Sequence, residues 1–191
     1  MQKAVFLDRD GVINPLVYNK NTSEYESPHY PEDFSIYIYV PRALRLIKEH
    51  GYKIILISNQ PSYAKGKTTL ENIKKIEELL KEYSTENGTL IDEYYYCYHH
   101  PNGIVPEYAV PCQCRKPGVL FLENAVEKFD LDIKNCFFIG DQDSDIKCGK
   151  TMGCKTIKIN NKHSMSKGSK EEPDCFAANL YEAAVKIIEL G

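Results

Sequence analysis

Five short apolar runs limit what this chain can fold into. Residues 4–7, 54–57, 94–98, 136–139 and 156–159 read as strands, and segments of helical periodicity separate them. Strands alternating with helices call for an α/β fold with a doubly wound parallel sheet. In such sheets ligands collect at the carboxyl ends of the strands. The residues directly after each run test that rule. Asp8-Arg9-Asp10-Gly11 comes after the first, Ser58-Asn59-Gln60 after the second, and Gly140-Asp141 after the run containing Phe138. Polar clusters therefore stand where a parallel sheet would put its chemistry.

The helical segments carry their own boundary signals. The first covers about residues 41–50 and stops at Gly51. The second follows Thr68, which with Glu71 makes a capping box, and Leu70, Ile73, Ile76, Leu80 and Tyr83 stripe one face of it. Pro117 suits the first turn of a third helix carrying Leu120, Ala125 and Val126. A fourth is expected from Ser144 to Gly153 and a fifth over residues 177–190. Residues 15–34, polar and Tyr-rich, and the Lys/Ser/Gly-rich residues 160–173 read as loops, the second of them mobile.

A chain of 191 residues suffices for one well-buried domain, taken as 1–191, with no internal repeat or domain-scale linker. Its formal net charge of -3 argues against coating nucleic acid, while leaving room for a local cationic pocket. Five residues of apolar strand before Asp8 are too few for a signal-peptide core, and no stretch approaches the roughly 20 apolar residues of a membrane helix. The expectation is a cytoplasmic monomer with no membrane or nucleic-acid partner.

Asp8 and Asp10, two apart in extended chain, face the same way, and Gly11 lets the backbone turn off sharply behind them. Clustered with Asp141 and Asp145, these carboxylates need a cation, and hard oxygen ligands select Mg²⁺. Ser58 and Lys116 add a hydroxyl and an ammonium able to hold an anion. Together they form a toolkit for phosphoryl transfer through an aspartate.

The seven cysteines point to a second centre. Cys97-Tyr98-His99 and Cys112-Gln113-Cys114 supply three thiolates and an imidazole, enough for a closed tetrahedral zinc site and hence a structural one. His100 is the competing imidazole; the matched Cys-x-His and Cys-x-Cys spacings favour His99. Cys136, Cys148, Cys154 and Cys175 are scattered and read as small buried hydrophobes. Because Arg115-Lys116 directly follow Cys114, a zinc-bound loop would hold that cationic pair over Asp8. Arg115 could then grip a second phosphate or a sugar hydroxyl.

Asp8-x-Asp10-x-x-x-Asn14, Ser58-Asn59-Gln60, Lys116 and Gly140-Asp141-x-x-x-Asp145 resemble, in order, the four motifs of the haloacid dehalogenase superfamily of phosphohydrolases. The resemblance implies that Asp8 is the nucleophile and Asp10 the general acid and base. It gives Ser58 and Lys116 the phosphoryl oxygens, and gives Mg²⁺ to Asp8, Asp141 and the backbone carbonyl of Asp10, with Asp145 orienting groups behind. The spacing of Cys97-x-His99-His100-Pro101-x-Gly103 to Cys112-x-Cys114-Arg115-Lys116-Pro117 resembles the branch of D-glycero-D-manno-heptose 1,7-bisphosphate phosphatases, whose close relatives act on histidinol phosphate. That branch lacks a large cap domain. It implies a small sugar phosphate as substrate, most directly the 7-phosphate of a heptose bisphosphate, met by Asn59, Gln60, Arg115 and the loop after Asn14. The chain departs from the branch at Pro61-Ser62-Tyr63-Ala64-Lys65-Gly66, at Gly118-Val119-Leu120-Phe121 and in the length of residues 15–34. Histidinol-phosphate and polynucleotide-end phosphatases, a phosphoacceptor signalling domain and a non-catalytic zinc module are the rival readings.

Overall fold

The computed structural model describes residues 1–88, 90–164 and 171–190. Six strands form one parallel sheet: β1 (Lys3–Leu7), β4 (Tyr52–Asn59), β5 (Glu93–Cys97), β6 (Phe137–Gly140), β7 (Lys155–Ile159) and β8 (Cys175–Ala177), in the order β5-β4-β1-β6-β7-β8. Between β1 and β4 comes a small antiparallel hairpin, β2 (Val17–Asn19) with β3 (Glu24–Glu26). The helices are α1 (Val40–Glu49), α2 (Leu70–Glu86), α3 (Leu120–Phe129), α4 (Asp143–Met152) and α5 (Leu180–Leu190).

Both faces of the sheet are covered, as a parallel sheet requires. Val5 and Leu7 of β1, with Ile54 and Leu56 of β4, pack against Ala43, Leu44 and Ile47 of α1 and Leu180, Ala184 and Ile187 of α5. The alternate residues Ala4, Phe6, Ile55 and Ile57 pack on the opposite face against Leu122 and Ala125 of α3 and Cys148 of α4. This is the period of two made visible: each strand divides its side chains between two cores. β1 is flanked by β4 and β6, in register Leu7↔Leu56 and Leu7↔Ile139, so the carboxyl ends of three central strands finish side by side.

Four local expectations needed correction. Thr69, not Thr68, caps α2, accepting from Asn72 N at 3.1 Å, because the Thr68 hydroxyl is spent on the His29 carbonyl. Pro117 precedes α3 rather than opening it; Gly118 N bonds to Arg115 O and closes a turn before the helix begins. α5 begins at Leu180 because β8 takes residues 175–177, a strand too short to show alternation. Residues 15–34 are not loop throughout: they contain the β2–β3 hairpin. In the second expected loop, residues 165–170 lie outside the described residues.

Candidate active site

β1 delivers Asp8 and Asp10 to the sheet edge, where Asp8 N bonds to Ile139 O of β6 at 3.0 Å. The backbone then reverses at Gly11, with φ +81°. Ser58 and Asn59 end β4, Gly140 ends β6, and Asp141 follows it; Asp145 lies in the first turn of α4. Lys116 arrives from the other direction, on the segment between Cys114 and α3. Asp8, Asp10, Asn59, Lys116, Asp141 and Asp145 line one cavity of about 370 Å³, with Arg115, Tyr25 and His163 in its wall; Ser58 lies buried beneath it, its Oγ accepting from Gln60 Nε2.

Lys116 is the hub. Its buried ammonium lies 2.8 Å from Asp8 Oδ1 and 2.7 Å from Asp145 Oδ1, and donates to Ile57 O at 2.7 Å. Its backbone is fixed as well: Lys116 N donates to Asn59 Oδ1 at 3.0 Å and Asn59 Nδ2 donates to Lys116 O at 3.1 Å. Burial opposes the charge on Lys116, but Asp145 and Asp8 outweigh it and raise its pKa above the ordinary lysine value. Asp145 is fully buried and uses its other oxygen to accept from Gln142 N at 3.0 Å, closing the N-terminal turn of α4.

The Asp8 position is electrostatically contested. Burial pushes the Asp8 carboxyl up to about 6, against the pull of Lys116 and with the push of Asp145 and Asp10. The Asp141 carboxyl is also held well above its ordinary value, by burial first and then by the charges of Asp8 and Asp145. Its Oδ1 is buried with no hydrogen-bond partner among the described residues, while Oδ2 accepts from Ser164. Asp8, Asp141 and Asp145 each bring an oxygen within 4.8 Å of the others. Three carboxylates facing a single lysine leave negative charge uncompensated, and Asp141 Oδ1 is unpartnered, so the donor set fits a hard divalent cation.

Asp10 differs. Burial would raise its pKa, yet Arg9's charge, with hydrogen bonds from Asn14, Gln60 and Arg9, holds the carboxyl below its usual range. Gln60, expected among the substrate contacts, is 2% exposed and spends its amide inward, on Asp10 Oδ2 at 2.7 Å, Ser58 Oγ at 2.9 Å and Arg9 Nη2 at 2.9 Å. Sequence reasoning missed Arg9 and Ser164. Arg9 carried a signal that could have found it: a charged residue at the end of a buried strand must find a partner.

The cysteine cluster lies just behind. Sγ–Sγ distances among Cys97, Cys112 and Cys114 are 3.1, 3.4 and 3.6 Å, and His99 Nδ1 is 3.5 Å from Cys114 and 3.9 Å from Cys97. A tetrahedron with zinc–sulfur bonds of about 2.3 Å has edges of about 3.8 Å, close to this spacing. His100 Nδ1 instead accepts from Asn102 N at 3.1 Å. Thiols packed this closely would repel once ionised, so this donor set also fits a cation. Arg115 Nη1 leans on His99 O at 3.4 Å, tying the pocket wall to the cluster.

Comparison with known proteins places this geometry in a family. The HAD-hydrolase-like family model matches residues 113–183. The chain is 34% identical over 194 residues to the D-glycero-D-manno-heptose-1,7-bisphosphate 7-phosphatase of Chlorobaculum tepidum, with 97% of this chain and 94% of that one covered. It is 36% identical over 151 residues to the D-glycero-alpha-D-manno-heptose-1,7-bisphosphate 7-phosphatase of Photorhabdus laumondii, covering 79% and 78%. The fold matches the crystal structure of D,D-heptose 1,7-bisphosphate phosphatase from B. bronchiseptica complexed with magnesium and phosphate. Its TM-score is 0.78 at 20% identity, with both chains fully covered.

Proposed function

Because the chain belongs to the heptose bisphosphate phosphatase family of the haloacid dehalogenase-like hydrolases, we propose that it hydrolyses the 7-phosphate of D-glycero-D-manno-heptose 1,7-bisphosphate. The observation that carries this reading is the 2.8 Å contact between Asp8 Oδ1 and Lys116 Nζ inside one cavity with Asp10 and Asp141.

On this reading Asp8 attacks phosphorus, the ester P–O bond breaks, and Asp10 passes a proton to the departing sugar oxygen. Water then attacks the aspartyl phosphate, Asp10 takes its proton, and the P–O bond to Asp8 breaks to release phosphate. Ser58 and Lys116 hold the phosphoryl oxygens. Asp8, Asp141 and the carbonyl of Asp10 would hold Mg²⁺, which neutralises charge on the transferring group. Asp145 fixes Lys116 from behind, and Asn59 fixes its backbone. Arg115, the Asn59 turn and the β2–β3 hairpin would meet the rest of the substrate, while Gln60 acts from beneath Asp10. A zinc ion on Cys97, His99, Cys112 and Cys114 would hold the loop that ends at Arg115. Residues 1–191 then act as one catalytic domain, a cytoplasmic monomer.

Asp8→Asn removes the nucleophile without changing side-chain size. Its turnover should fall by at least about 10⁴-fold, as when a covalent catalyst is lost, while the variant stays folded in a thermal melt at neutral pH. Phosphate release from a panel containing both heptose bisphosphate anomers, histidinol phosphate and a phosphorylated oligonucleotide tests the substrate. A preference for either of the last two, or native turnover by Asp8→Asn, defeats the reading.

A further inference from the structure

Arg9 is the largest fully buried side chain among the described residues. Withdrawing a guanidinium from water is costly unless its charge is paired and its N–H groups are used. Its Nη2 donates to Asp10 Oδ1 at 2.9 Å, to Asp10 Oδ2 at 3.2 Å and to Gln60 Oε1 at 2.9 Å; Nε reaches Asp10 Oδ1 at 3.2 Å. Nη1 is buried with no partner among the described residues. A residue serving only packing would do better as a hydrocarbon here. The Arg9–Asp10 pair itself joins only neighbours in sequence, and the single bond to Gln60 is all that ties Arg9 to another strand's end.

The grip on Asp10 is what the arrangement accomplishes. Asn14 Nδ2 donates to Oδ1 at 2.9 Å and Gln60 Nε2 to Oδ2 at 2.7 Å, so with Arg9 both carboxylate oxygens are held by fixed donors from two strands' ends. We propose that Arg9 is a positioning residue for the phosphatase reaction. With Gln60 it fixes the carboxylate of Asp10 in the orientation from which a proton reaches the leaving oxygen, and it acts on catalysis only through Asp10. This rests on the phosphatase reading above.

The test compares kcat/KM, which reports transfer to Asp8 alone, on two substrate types. A sugar phosphate has a leaving alkoxide that needs a proton; 2,4-dinitrophenyl phosphate releases a weakly basic phenolate that departs without one. Arg9→Lys keeps the charge and loses the fork, and Arg9→Met loses both; should the second fail to fold, the first carries the measurement. The expected result is a loss of about 100-fold on the sugar phosphate, the low end of what a general acid contributes, and under about 3-fold on the dinitrophenyl ester. In an Asp10→Asn background Arg9→Lys should add no further loss on the sugar phosphate. Equal losses on both substrates, or additive losses in the double variant, would overturn the positioning role. Absence of wild-type turnover on both substrates would instead remove the phosphatase reading, and the proposal with it.

Discussion

Gly11 shows how tightly single residues are committed around this site. A Cβ there would lie 2.1 Å from Asp141 Oδ2 and 2.8 Å from Asn161 Nδ2, and the backbone φ of +81° disfavours any L side chain. Gly11→Ala therefore acts in two ways. The left-handed conformation costs about 1–2 kcal/mol, and Asp141 must leave its seat. Since displaced metal-site geometry typically costs about 10–100-fold in affinity, the Mg²⁺ concentration for half-maximal activity should rise by that factor, with a small drop in Tm. A magnesium titration of activity checks it; an unchanged requirement would take Asp141 out of the metal site. Much at this level was readable in advance. Asp8, Asp10, Ser58, Lys116 and Asp141 each follow or face an apolar run, and the spacing of carboxylates in extended chain has one geometric consequence. The inward turn of Gln60 and the burial of Arg9 were not readable. Both depend on which donor wins a contest for Asp10, and that contest is settled in three dimensions.

Among the elements, the register of β5 against β4 and α1 hangs on Asp92, just before β5. Its carboxylate meets Lys48 Nζ of α1 at 2.9 Å and Lys53 Nζ at 3.3 Å, and accepts from Ile54 N at 2.8 Å; its own N–H donates to Ile54 O. Burial opposes ionisation, but the Ile54 N–H and the two lysines prevail, and the Asp92 pKa lies below the usual carboxylate range. A depressed folded pKa means stability that is present above the unfolded value of about 3.9 and lost as pH falls through the folded value. Asp92→Asn should lower stability by about 1 kcal/mol near neutrality, since the site is partly solvated. That corresponds to about 2–4 °C in Tm for a chain of this size. The gap to wild type should close below about pH 4. Melting curves from pH 3 to 7 decide it: a gap that persists at pH 3 would mean lost packing rather than lost charge. Strand runs such as residues 54–57 were legible because unbroken apolarity admits few alternatives. The β2–β3 hairpin and β8 were not, because three-residue strands carry no period and owe their pairing to neighbours.

The molecule as a whole divides its work. The sheet and its two cores hold Asp8, Ser58 and Asp141 at the strand ends, and those cores draw nothing from residues 98–113. Lys116 is held independently of that stretch, by Asp8, Asp145, Ile57 and Asn59. Arg115, in contrast, donates to His99 O, within the cysteine cluster. On the proposal that the cluster holds zinc, losing that ion should therefore disturb substrate binding more than chemistry. Cys112→Ser removes one of four donors, and purified protein should fall from about one zinc per chain to well below that. KM for the sugar bisphosphate should rise about 10-fold, the scale of one good polar anchor, while kcat stays within about 3-fold and Tm declines. Metal analysis alongside steady-state kinetics separates the cases. If kcat collapses while KM holds, the loop governs Lys116 after all. If wild-type protein carries no zinc, the four donors are reduced cysteines and a histidine that happen to lie together; if the variant keeps its zinc, KM and Tm, Cys112 is no ligand.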